Sequence, residues 1–120
     1  MIKAMPVLYI SGPFSSSDLL HGVERNILTA SKYALEAWQK GWSVLCPHKN
    51  TSGYQHTYIP YNVWINGDLA FIDRMDANKG DALLMLPGWE HSQGAVLERN
   101  FASEKGLKIY YAEYGIPEVE

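Results

Sequence analysis

Two hydrophobic rhythms alternate along this chain. An apolar, β-prone run at 6–11 (Pro-Val-Leu-Tyr-Ile-Ser) stops at the turn signal Gly12-Pro13. Ser15-Ser16-Ser17-Asp18 then reads as a helix N-cap region, and apolar residues recur at helical spacing through Val23, Ile27, Ala30, Ala34, Ala37 and Trp38 until Gly41. A second strand is predicted over 42–46, ended by Pro47, and 48–60 is a long polar and aromatic loop without period. Helical spacing returns over 61–75. The unbroken apolar run at 81–86 predicts a strand buried on both faces. A loop at 87–91, a third helix over 92–105, Gly106 and a fourth strand over 107–112 complete the pattern.

Strands alternating with helices imply one α/β domain over 1–120, with a four- to five-stranded parallel sheet covered on both faces. Such sheets bind ligands beyond the carboxyl ends of their strands, where the strand order reverses. The loops 12–18, 47–60 and 87–92 meet that edge.

Helical geometry then exposes two misplaced acids. Glu98 has Gly94 and Ala95 one turn before it and Phe101 and Ala102 one turn after, which is the face that should pack on the sheet. Asp68 has Trp64, Ile65, Phe71 and Ile72 as its helical neighbours. An unpaired ionised carboxylate on a packing face costs several kcal/mol, so each acid needs a reason. A loop cap or a buried partner such as Arg25 or Arg74 is one. An acid/base or nucleophile pair beside a strand-end crevice is the other.

Composition narrows the setting. Ten Lys+Arg against thirteen Asp+Glu give a net charge of −3, which excludes a basic nucleic-acid or membrane clamp. The one cysteine, Cys46, cannot form an internal disulfide, no stretch approaches a membrane span, and no leader pattern is visible, so a cytoplasmic protein is expected. Cys46 and the four histidines lack metal-ligand spacing, and neither a Walker loop nor a dinucleotide fingerprint is present. Four Trp, eight Tyr and three Phe are many for 120 residues, and several fall in the predicted loops.

Three segments carry a family resemblance: 8–14 (Leu-Tyr-Ile-Ser-Gly-Pro-Phe), Gly67-Asp68-Leu69, and 86–98, where Leu-Pro-Gly-Trp-Glu-x-Ser-x-Gly-Ala-x-x-Glu is complete. Together they resemble the nucleoside 2-deoxyribosyltransferase superfamily, above all its small phage and bacterial members. The resemblance implies a flavodoxin-like three-layer fold with strand order 2-1-3-4, extended to a fifth strand where one exists. It implies that Glu98 is the nucleophile at the anomeric carbon, that Asp68 handles the proton of the departing base, and that Tyr9 holds the nucleophile. Water would resolve the glycosyl-enzyme in a hydrolase, a second base in a transferase, which is the logic of retaining glycosidases. No metal or cofactor is implied, and a dimer or tetramer is.

Where transferases of the superfamily usually carry an aspartate, this chain has Ser92, which resembles the nucleoside 5′-monophosphate N-glycosidases. Ser11, Gly12, Pro13, Phe14, Ser15 and Ser16, together with Gly88, Ser92 and Gly94, are then expected to surround the sugar and phosphate, although the 12–18 loop lacks their arginine. His48, Trp64 and Trp89, with Tyr54, His56 and Tyr58, are the aromatic groups available to stack on a base, and the segment 110–114 is the candidate subunit contact. The phosphoribohydrolase motif Pro-Gly-Gly-x-Gly-Thr-x-x-Glu is a weaker likeness, with extra residues between Pro87-Gly88 and Gly94 and an alanine in place of Thr. The expected activity is therefore cleavage of a (2′-deoxy)nucleoside 5′-monophosphate at its N-glycosidic bond. Deoxyribosyl transfer and non-catalytic nucleotide binding are the alternatives.

Overall fold

The protein is described by a computed structural model over residues 3–14, 22–54 and 57–120. Its elements in chain order are β1 (Val7–Ser11), α1 (Gly22–Gln39), β2 (Ser43–Leu45), α2 (Pro47–Asn50), α3 (Tyr61–Asp73), β3 (Ala82–Met85), α4 (Gln93–Glu104) and β4 (Lys108–Tyr111). Short 3-10 turns occupy Ala77–Lys79, Trp89–His91 and Ala112–Tyr114. All strand pairs are parallel and the order is β2-β1-β3-β4. This is the flavodoxin-like three-layer arrangement, with the reversal of strand order between β1 and β3.

Strand periodicity divides the core. Leu8, Ile10, Leu84 and Leu86 face α1, where Ala30, Ala34 and Ala37 let the helix approach closely. Tyr9, Leu83 and Met85 face the opposite layer and pack with Ile72 near the end of α3 and with Ala95 and Ala102 of α4. Because side chains alternate, Ser11 falls on the same face as Tyr9. At the carboxyl end of β1, Gly12 runs so close to β3 that a Cβ there would lie 2.7 Å from the Leu86 Cβ. No residue but glycine fits that crossing.

Some details differ from the sequence pattern, others agree with it, and one is not described. The helix start expected at 15–18 lies outside the described residues, and α1 is described from Gly22. Trp38 is half exposed, because the close-packed stripe of α1 runs through its alanines and Trp38 sits about 100° round the helix from Ala37. Pro47 does not merely end β2. It occupies the first turn of α2, where its missing N–H costs nothing, and this turn lies within the stretch read as loop. The described residues hold four strands and no fifth. After β4 the chain folds back instead, with Pro117 O accepting from the Trp42 indole N–H at 2.7 Å and Ile116 O from Lys40 Nζ at 2.9 Å.

Candidate active site

The site forms where α4 crosses the carboxyl end of β1. Tyr9 and Ser11, two residues apart, both present hydroxyls to α4, and Glu98 on the packing face of that helix receives them. Tyr9 Oη donates to Glu98 Oε2 at 2.7 Å, and Ser11 Oγ donates to Oε1 at 2.6 Å. Both carboxylate oxygens are thus held by short, charge-assisted bonds. Ser92 N-caps α4 through a 3.2 Å bond from the Ala95 N–H, which fixes the start of the helix that carries the acid.

Burial still dominates the electrostatics. Glu98 is pushed up to about 7, mainly by desolvation, with the Asp68 charge adding to the rise and the two hydroxyls opposing it. Asp68, half-buried on α3, is also raised by burial, with its interaction with Glu98 opposing the rise. The pair therefore titrates jointly and holds a proton well above the ordinary carboxylate range. The Tyr9 phenol, fully buried beside these charges, lies far above its usual value and stays a donor. Of the two proposed buried cations, Arg74 is exposed and donates to Ala70 O, and Arg25 is exposed on α1. Hydroxyls satisfy Glu98.

Glu98 and Asp68 belong to the wall of an open cavity of about 910 Å³, large enough for a nucleoside. Gly12, Pro13, Phe14, His48, Trp64, Gly88, Ser92 and Gly94 share that wall. Gly88 takes a left-handed conformation, φ 86°, to turn the chain from β3 towards α4. Tyr54 and Tyr58 also line the cavity, and Tyr54 stacks on Trp64 with ring centroids 6.5 Å apart. Ser15, Ser16, Ser17 and His56 lie outside the described residues.

Two site residues are placed differently from expectation. Trp89 is not part of the cavity wall. Its ring packs against Tyr111 at 5.7 Å and beneath the Arg99 guanidinium at 5.6 Å, because the 3-10 turn at 89–91 directs it to the α3/α4 core layer. Ser11 is almost fully buried behind Glu98 and holds that carboxylate rather than a ligand. Tyr61 was missed as a wall residue, yet its position seven residues before Asp68 puts it on the same helical face. Burial and the two carboxyl charges raise its phenol.

Among the described residues no three His, Cys, Asp or Glu side chains converge as metal ligands, and no helix is long and apolar enough to cross a membrane. A search of curated proteins finds no match. The family described as a domain of unknown function, DUF4406, matches residues 6–111, and the chain belongs to that family.

Proposed function

We propose that this protein cleaves the N-glycosidic bond of a 2′-deoxynucleoside, free or as its 5′-monophosphate, through a covalent glycosyl–Glu98 intermediate. One observation carries the reading: a buried carboxylate, gripped on both oxygens by hydroxyls, stands beside a second carboxyl at the wall of a nucleoside-sized cavity. Attack requires the charge on Glu98 and the proton on Asp68; the two hydroxyl donors lower the cost of that form, which burial and the Asp68 charge oppose.

A Glu98 oxygen attacks the anomeric carbon as the carbon–nitrogen bond breaks. The bond pair stays with the base nitrogen, which takes the Asp68 proton. Asp68, now ionised, accepts a proton from water. The water oxygen then attacks the anomeric carbon, and Glu98 leaves as carboxylate. A free base in place of water gives deoxyribosyl transfer from the same intermediate. The lone half-buried Cys46 agrees with a reducing cytoplasm. A homo-oligomer, dimer or tetramer, would use the segment 110–114, where Tyr114 is 82% exposed.

Chromatography of the protein with nucleosides and their monophosphates tests the reaction. Free base is expected, and Glu98→Gln should lower its release by at least about a thousandfold while ligand still binds. Unchanged turnover in that variant removes Glu98 as nucleophile. Ligand retention with no base release from the wild type identifies a binding module instead. Added free base yields a new nucleoside only if the enzyme is a transferase.

A further inference from the structure

α3 is apolar round most of its circumference. Its charged residues are Asp68, on the cavity side, and Asp73 at its carboxyl end. A helix of that composition is ordinarily covered on every side. Yet Val63 is 52% exposed and Phe71 is 41% exposed, and Gly67 and Ala70 between them are exposed as well. Gly67 sharpens the conflict. A glycine inside a helix is disfavoured about fivefold against alanine. Apart from its own stretch of helix, nothing among the described residues lies within 4 Å of where its Cβ would stand. No described neighbour within the chain requires that position to be small.

Helical geometry arranges these residues symmetrically. At about 100° per residue, Gly67 sits at the centre of the outer face. Trp64 and Phe71 form a row about 50° to one side of it, and Val63 and Ala70 form a row about 50° to the other. Each row places one residue before Gly67 and one after it, at nearly equal heights. A two-fold axis perpendicular to α3 at Gly67 therefore sets each row against its own counterpart. Phe71 of one copy lies along Trp64 of the other, and Val63 lies along Ala70. Bulky rings meet on one flank, small side chains meet on the other, and none of the five residues is charged. Gly67 at the crossing lets the two helices approach to the short end of the usual spacing. A helix from an unrelated protein would need none of this symmetry.

We infer that the outer face of α3 is a two-fold contact with a second copy of this chain, crossing at Gly67. It is separate from the contact proposed at 110–114, and two different two-fold contacts are what a tetramer needs. Trp64 belongs to the cavity wall and stacks on Tyr54. Phe71 of the second copy thus buttresses that wall, and the two cavities open on the same flank of the contact. The inference does not depend on the reaction proposed above.

Sedimentation of the full chain tests it, with circular dichroism to confirm that each variant folds. The wild type should form a dimer, or a multiple of it, at micromolar concentration. Val63→Glu buries a charge on each side of the axis and should weaken association by about 100-fold or more. Phe71→Ala should weaken it by about 30-fold. In a Cys46→Ser background, Gly67→Cys should cross-link to a covalent dimer on oxidation, since Cα atoms at such a crossing fall within disulfide range. Ser103→Cys, exposed on α4, is the control and should not. A wild type that stays monomeric to millimolar concentration overturns the inference. So does an oligomer that both variants leave intact, or a Gly67→Cys protein that cross-links no faster than the control.

Discussion

Two carboxylates are almost equally buried in this fold, and they lie at opposite ends of the sheet. Asp81 is 7% exposed and Glu98 is 6% exposed. Asp81 stands just before β3 and accepts from two backbone amides, Val7 N–H at 2.9 Å and Asp76 N–H at 2.8 Å. It ties the start of β1 to the turn that leads into β3. Glu98, at the carboxyl end of β1, is held by side-chain hydroxyls beside a second carboxyl. Backbone amides would be orphaned without Asp81, so that acid answers a need of the fold. Nothing in the backbone needs Glu98. The burial of an acid says little by itself; the kind of donor that satisfies it separates structural from chemical use.

Removing each acid should make the contrast quantitative. Asp81→Ala leaves two buried amides without acceptors and should cost about 4 kcal/mol of stability, read by urea unfolding. A loss below about 1 kcal/mol would show that water or a local rearrangement replaces the carboxylate, and the distinction between the two acids would weaken. Glu98→Gln should act in the opposite direction. The folded state holds the Glu98 proton up to about pH 7, whereas the unfolded chain releases it near 4.5. Between those values folding takes up a proton, so wild-type stability falls as pH rises through the window and stays low above it. The glutamine variant escapes that penalty. It should be more stable than wild type by about 3 kcal/mol at pH 8, with the advantage fading towards pH 4. Equal stability at both pH values would mean that Glu98 is not held protonated by burial.

Glu98 and Asp68 were legible because an acid at helical spacing among small and apolar residues is a conflict visible in one sequence. The alternating pattern likewise sufficed for the parallel sheet, since 81–86 is apolar without interruption and Ala82–Met85 are all buried. Asp81 was not legible. It opens an apolar run at a turn, where acids are ordinary, and its amide partners come from 74 residues away in one case. Trp89 was misread because its neighbours in the motif, Gly88 and Ser92, do line the cavity, and only the 3-10 turn determines that its ring goes the other way. The role of Ser11 was half legible. Its position two residues after Tyr9 puts both on one strand face, but that the face meets α4 depends on how the layers pack.

The smallest predicted effect probes how Glu98 is held. Tyr9 is fully buried, so its hydroxyl acts on the carboxylate and not on a ligand. Tyr9→Phe removes one of the two donors that favour the charged form, while Ser11 keeps the other oxygen. A hydrogen bond to a charged group is worth about 1.5–3 kcal/mol, so Glu98 should become harder to ionise by about one to two pKa units. If the anion is the attacking species, the acidic limb of the pH–rate profile moves to higher pH by that amount. Activity should then fall at least about tenfold at pH 6 and much less at pH 9, with little change in KM. A uniform loss at every pH would instead mean that Tyr9 matters through packing alone. An unmoved acidic limb in both Tyr9→Phe and Ser11→Ala would detach the hydroxyl grip from the chemistry, leaving Glu98 as merely another buried acid, no different in kind from Asp81.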